Sequence, residues 1–595
     1  MMGFAGVFAH EPEALPQEVA RWPQLETQRT FSASGMHVQW WKGASAADTL
    51  RWNAMGTVGV LLRGELFEDD PTDPLQRYEQ IGPAFVKSLN GRFSGLLIDI
   101  RRPLVLLFND RYGLGACHWT RTAQGLYFAS SARALRARLQ DPPPMSPQSL
   151  AELLSMGCVL DHRTLFQGIE RLPPASVWTR GGVEPVQRHA YFSPADWEAQ
   201  PPLPEGVFHR RMCSVLAQRV PAYLRGPRPV GVSLTGGLDG RLLMAWAGAQ
   251  PGDLRCYSFS GPWRECADAN LARQVAQASG HSHQTLTVGA DLLRQFPHLA
   301  AQAVVASDGL MDASGGVEIF VNQWARHISP VRLTGNWGSE ILRGHVAFRP
   351  RRLDPTLLHS DMTALIQEAE ARYQDARRGS DLNFIAFKQL PWHHSVRLSL
   401  EEAQLTLRSP FIDNDIVALM HRAPPSVRTL AAQSSLKWIH QGAPALSVIP
   451  TDRGLRLGGS TLGAKLDAWR QTFWVKCEYA MDYGMPRSWA PWLHRLGAWH
   501  PQRWVLGRHK FYHFRSWYQG PLATHLREVL LDPLALNRNL YPRRSLERMV
   551  QDHVTGRSNH TLELHRAWSY ELLHQHLLSD PRVHATEALP LATVP

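Results

Sequence analysis

The chain has 595 residues, 44% of them hydrophobic and 19% charged, with 21 Trp: enough for roughly three to five domain-sized units and a sizeable core, which excludes a disordered or low-complexity protein. The formal charge is +11, but only seven of the 63 basic residues are Lys, and the Arg are spread along the chain with Arg349, Arg351 and Arg352 as the densest cluster, so no nucleic-acid partner is expected. No apolar run approaches the ~18–20 residues of a membrane helix, the start lacks a secretory pattern, and six Cys without C-x-x-C spacing argue against a disulfide scaffold or a zinc site, so the expectation is a cytoplasmic protein.

Residues 1–140 read as β-rich, with short apolar strands at 57–62, 95–100, 105–109 and 125–129 between Gly and Asp turns. Asp141-Pro142-Pro143-Pro144 interrupts that pattern. Residues 141–204 read as a bridging segment ending in the linker-like Gln200-Pro201-Pro202-Leu203-Pro204. From 205 to 595 the texture changes. A helical pattern at 207–224 precedes a buried strand at 229–234, a Gly-rich turn and a helix at 241–249. Strands at 254–260, 283–288 and 331–334 then alternate with helices at 267–279 and 292–306, which predicts βαβ units and a parallel sheet. Ligands of such sheets sit beyond the carboxyl ends of the strands, where the Gly-rich turns lie. After about residue 355 the pattern is mostly helical.

The strongest local signal is Ser233-Leu234-Thr235-Gly236-Gly237-Leu238-Asp239-Gly240-Arg241, directly after a strand and directly before a helix. Two adjacent Gly admit an anion close to the backbone, and successive N–H groups with the helix N-terminus cradle phosphate. Ser233 and Thr235 add hydroxyls. Asp239 beside phosphate needs a bridging cation, so it reads as a Mg²⁺ ligand. The loop is neither a Walker A motif nor a dinucleotide fingerprint.

This hydroxyl-Gly-Gly-x-Asp loop resembles the pyrophosphate loop of the N-type ATP pyrophosphatases, specifically the asparagine synthetase family, whose loop ends in Ser where this chain has Gly240. The resemblance continues in order through residues 268–281, Thr334-Gly335-Asn336-Trp337-Gly338-Ser339-Glu340-Ile341-Leu342-Arg343-Gly344, Arg408-Ser409-Pro410-Phe411-Ile412-Asp413, Ser435-Leu436-Lys437-Trp438 and the C-terminal stretches 553–557 and 562–577. Toward the N-terminus, Arg63-Gly64-Glu65-Leu66-Phe67, Leu89-Asn90-Gly91-Arg92-Phe93, Asn109-Asp110-Arg111-Tyr112-Gly113-Leu114 and residues 128–135 resemble the family's glutaminase domain. The implied fold is α/β: an N-terminal glutaminase-like αββα domain of the Ntn type, and a C-terminal doubly wound parallel-sheet ATP-pyrophosphatase domain with a helical extension.

The implied activity is an AMP-forming ligase using ATP and Mg²⁺. A carboxylate attacks the α-phosphorus, and ammonia or an amine then takes the acyl group. The resemblance assigns pyrophosphate to Ser233, Thr235, Gly236, Gly237, Leu238, Asp239, Gly240 and Arg241, adenosine to Ser258, Phe259, Thr334 and Gly335, and metal to Asp239 and Ser339. It gives catalytic roles to Lys437, Glu340 and Asn336.

Four further departures qualify it. Glutamine-hydrolysing members carry an N-terminal nucleophilic Cys where this chain has Met2, and a thioether provides no nucleophile. Arg63 replaces an Asn, so the first domain is expected to be inactive on glutamine. Asn336 stands where the family's proposed base, Glu, is expected, and Ser339 where a metal-binding Asp is expected. Ahead of two alternatives, the leading reading is an amide ligase whose substrates are a small-molecule or peptide carboxylate and an amine. The alternatives are an intramolecular cyclase like the β-lactam synthetases and lasso-peptide macrocyclases, and an inactive relative that binds nucleotide or a partner. The Trp- and Arg-rich region 468–520 reads as a substrate or partner-protein surface, or as ordinary helix packing; a homodimer is equally compatible.

Overall fold

The computed structural model describes residues 3–9, 28–33, 35–41, 50–68, 73–182, 184–262, 264–351, 353–354, 357–458, 462–484, 505–538 and 540–579. The first strand, Gly3–Ala9, is buried along its whole length and pairs antiparallel with Met36–Trp41 on one side and Gly125–Ala129 on the other. Gln28–Ala33, His118–Arg121 and Glu170–Arg171 complete this six-stranded sheet. A second sheet runs Gln187–Ala190, Ser176–Gly181, Leu104–Asn109, Gly91–Asp99, Val58–Leu66 and Arg51–Trp52.

Alternation along the strands sends Phe4, Phe8, Val38 and Trp40 of one sheet against Leu96, Ile98, Leu107 and Trp178 of the other. The outer face of the second sheet, with Val58, Val60, Leu97, Leu106 and Phe108, packs on helices Pro74–Ile81 and Phe85–Ser88. The outer face of the first meets Ala132–Arg136 and Pro147–Met156 and continues into helices Ala290–Ala306 and Thr561–Leu573. The layering is αββα, and its last layer is shared with the rest of the chain.

The sheets reach Ala190, so residues 141–204 are not a bridge between units: they supply three strands to the first one. Sequence misses two of these strands because Glu170–Arg171 is two residues long and Gln187–Ala190 is a polar edge strand exposed at every position.

The parallel sheet has the order Ser282–Thr287, Arg255–Ser260, Val230–Ser233, Val331–Thr334, Thr406–Arg408. The chain winds outward from Val230–Ser233 in one direction and then, from Val331–Thr334, in the other. The order therefore reverses between those two strands, and both Gly-rich loops leave from their carboxyl ends, which opens a crevice there.

The two units are latched by charge as well as by their shared core. Arg408 donates from Nε and Nη2 to both oxygens of Glu65 at 2.8 Å, and from Nη1 to the carbonyls of Tyr223 and Arg225. Arg92 pairs with Glu402, and Asp413 accepts from Asn90 Nδ2 at 3.0 Å and from Arg219 Nε at 2.8 Å. No helix among the described residues is long and apolar enough to cross a membrane.

Candidate active site

Helix Leu238–Trp246 starts one residue beyond Gly237, so its free N–H groups face the crevice. Ser233, Thr235, Gly237, Asp239 and Gly240 line it. Three other members of the loop do not. The Gly236 N–H is taken by Asp268 Oδ1 at 3.0 Å, and its carbonyl accepts the Asp452 N–H at 3.1 Å. Leu238 turns into the core. Arg241, expected to offer charge to phosphate, is fully buried and donates to the carbonyls of Pro450 at 3.1 Å and Leu446 at 3.3 Å. It props the loop from behind.

The second loop lies against the first. A Cβ on Gly335 would fall 2.7 Å from Gly240 N, and one on Gly338 2.5 Å from the Asp239 carboxylate, so glycine at both positions permits the contact. Thr334, Gly335, Asn336, Ser339 and Glu340 all line the crevice, as do Ser258 and Phe259 from strand Arg255–Ser260.

The two residues expected to hold the metal are each engaged by a neighbouring side chain. Both Asp239 oxygens accept from Arg343, Nη1 and Nη2 each at 2.7 Å. Burial pushes the Asp239 carboxyl up and the Arg343 pair draws it back. Ser339 Oγ donates to Glu340 Oε2 at 2.7 Å, and Glu340 Oε1 lies 3.6 Å from His394 Nε2. His394 arrives on the π-helical stretch Ile385–His394, and burial pushes its pKa down to about 3, so it is neutral. On the other flank of the first loop, Asp268, Asp452 and His509 bring ligand atoms within 4.8 Å of one another.

Lys437 lies outside the crevice. On helix Ala431–Gly442 the buried positions are Ala431, Ser434, Ser435, Leu436, Trp438 and Ile439; Lys437 points away, its side chain 58% exposed and 3.9 Å from Glu205. Among the described residues the lysine that lines the crevice, beside Arg332 and Arg397, is Lys510, 7% exposed, with Nζ 3.6 Å from the Tyr479 ring centroid and 5.5 Å from that of Tyr512. Burial lowers its pKa, against the pull of Asp482 and Glu478. Helix Leu462–Tyr479 delivers it: the buried Glu478 carboxylate accepts the N–H groups of Gly507 and His509 at 2.7 Å and of Lys510 at 3.4 Å. Part of the Trp- and Arg-rich region thus forms a wall of the site; its Trp489, Trp492, Trp499 and Trp504 lie outside the described residues.

The fourth wall is helix Ser395–Glu402 with strand Val331–Thr334. Glu401, 1% exposed, faces the crevice within reach of Asn336. Its oxygens lie 3.3 Å from Arg397 Nε and 3.9 Å from Arg332 Nη1, and neither completes a well-aligned hydrogen bond. Burial raises its pKa, and Arg332 and Arg397 lower it again. The same helix and its neighbours bring Arg397 onto Glu318 at 2.6 Å. A carboxylate therefore stands beside the position where Asn336 has none. The cavity so enclosed has a volume of about 440 Å³.

Residues 70–192 match the glutamine amidotransferase domain and residues 212–444 match asparagine synthase. Over 311 residues, 52% of this chain and 48% of the relative, identity to the glutamine-hydrolyzing asparagine synthetase 1 of Bacillus subtilis is 21%. Amidase chry2 of Gibberella zeae is 23% identical over 295 residues, 46% of this chain and 42% of that protein. The chain spans about half the length or less of these curated relatives. Glutamine phosphoribosylpyrophosphate amidotransferase from B. subtilis overlaps 48% of this chain and 65% of its own at 10% identity and a TM-score of 0.22. With a glutamine amidotransferase domain followed by an asparagine synthase domain, the chain belongs to the asparagine synthetase family.

Proposed function

We propose that the crevice activates a carboxylate with ATP, releasing pyrophosphate, and passes the acyl group to an amine. The observation that carries this reading is the pairing, across one cavity floored by the two Gly-rich loops, of a buried carboxylate, Glu401, with a buried ammonium, Lys510. The helix N-terminus and the Gly237 region suit phosphate; Ser258, Phe259, Thr334 and Gly335 suit the nucleoside. Glu401 takes the amine proton that Asn336 cannot accept, and Lys510 stabilises charge that develops on the acyl oxygen. Asn336 is left to orient the amine. ATP–pyrophosphate exchange across a panel of small and peptide carboxylates tests the reading: exchange with none of them refutes it. The Asp239–Arg343 pair favours a second reading, a relative that binds nucleotide without turnover, which predicts ATP binding and no AMP under any substrate pair.

The two lysines separate by experiment. Lys510→Met is expected to lower turnover by about 10²–10³-fold while nucleotide affinity changes little, because a charge acting on the transition state is felt in kcat. Lys437→Ala is expected to leave turnover at the wild-type level, and a loss there would place the exposed lysine in the chemistry after all.

Glutamine is not expected to be the nitrogen source in cis. Met2 lies outside the described residues, and Cys117, in the core between the two N-terminal sheets, has its thiol pushed up to about 12 by burial. Purified protein supplied with glutamine should release no glutamate above background in a coupled dehydrogenase assay, and saturable release would show a nucleophile elsewhere.

A further inference from the structure

We propose that the Arg343 guanidinium occupies the role of the divalent cation at the first loop, so that this loop takes up phosphate groups without a metal bridged through Asp239. The inference rests on the reading of that loop as a phosphate cradle.

A carboxylate beside phosphate needs a positive charge between them or next to them. Here that charge is covalently part of the chain. Arg343 closes on Asp239 through two parallel N–H···O contacts of 2.7 Å, the fork geometry in which both carboxylate oxygens are used at once. Asp239 has little freedom to turn away, because its carboxylate lies against Gly338, where even a methyl group would overlap it. A divalent ion approaching Asp239 would have to expel the guanidinium and would meet its repulsion.

The partner ligand is missing as well. Ser339 carries no charge and its hydroxyl is spent on Glu340, whose second oxygen faces His394. Arg343 itself is the last residue of helix Gly338–Arg343, where the helix field favours a cation. The pair uses two of the five guanidinium N–H donors, and the Arg343 side chain keeps 19% of its surface open. The loop thus carries a neutral ion pair where a carboxylate and its metal would stand.

The test is calorimetric titration of the full-length protein with ATP and, separately, with pyrophosphate, in EDTA and in Mg²⁺. Wild-type affinity for the phosphates of the loop is expected to agree between the two conditions within about threefold, well under the roughly tenfold that the loss of one charge-assisted contact gives. Arg343→Met frees Asp239. Its affinity in EDTA should fall by about tenfold or more, and Mg²⁺ should recover it. In Ser339→Asp with Arg343→Gly, Mn²⁺ alone should give a bound-ion paramagnetic resonance signal that the wild type lacks, a readout independent of turnover and of the first variant's folding. Wild-type binding that requires Mg²⁺ overturns the inference alone, as does an Arg343→Met variant that binds equally in EDTA and Mg²⁺. Failure of ATP and pyrophosphate to bind under either condition overturns the phosphate-cradle reading and the inference with it.

Discussion

Glu401→Gln is expected to lower amide formation by about 10²–10⁴-fold, the range for loss of a positioned general base. The amide keeps the shape and the contact with Asn336 but accepts no proton. Adenylation is expected to survive, so ATP–pyrophosphate exchange should persist while product fails to form. The pH profile gives the same residue a second signature. Burial raises the Glu401 pKa, while the facing Arg332 and Arg397 lower it and Glu318 adds to the rise. The active form is the deprotonated one, so the rate should climb with pH through a midpoint above the usual carboxylate range. In Glu401→Gln that limb should vanish from the residual rate. A limb that persists unchanged would assign it to another group. On the alkaline side the active Lys510 is protonated and its pKa is lowered by burial, so the rate should decline at lower pH than an ordinary lysine would dictate.

The second large effect concerns the latch between the units. Glu65→Ala leaves Arg408, a side chain 6% exposed, without its bidentate partner. Breaking a buried pair from one side costs about 3–5 kcal/mol, whereas removing both partners costs much less. Apparent melting temperature should therefore drop strongly in Glu65→Ala and partly recover in Glu65→Ala with Arg408→Met. A melting temperature that stays at the wild-type value in the single variant would show that the shared apolar core alone holds the units together. Glu65 and Arg92 belong to segments that resemble a glutaminase domain, and both are spent on residues of the second unit, Arg408 and Glu402. The first unit's retained polar positions thus have a structural use that does not depend on glutamine.

Legibility in the sequence followed locality. The two Gly-rich loops and the strands before them were readable because a turn, a strand and a helix start are written in adjacent residues. The crevice between them follows from the strand order. Motif order alone does not carry helical phase, and Lys437 shows the difference: Ser434, Ser435, Trp438 and Ile439 bury one face of its helix, and residue 437 falls on the other. Lys510 and Glu401 escaped because they sit in no motif and reach the cavity from far along the chain. Arg343 lies within the second Gly-rich motif, but its meaning depends on the distance to Asp239, which no spacing rule gives. The strand Gln187–Ala190 was illegible since an exposed polar edge carries no apolar alternation.

Glu478 gathers the N–H groups of Gly507, His509 and Lys510, and Asp482 that of Arg515 at 3.0 Å. Both anchors lie before residue 485 and all four anchored groups lie after residue 504. The ammonium is consequently positioned by two carboxylates of one segment that hold the backbone of another. The placement of the site's lysine thus rests on a tertiary contact between two segments rather than on a strand of the sheet, so it can be adjusted without disturbing the two Gly-rich loops that line the cavity.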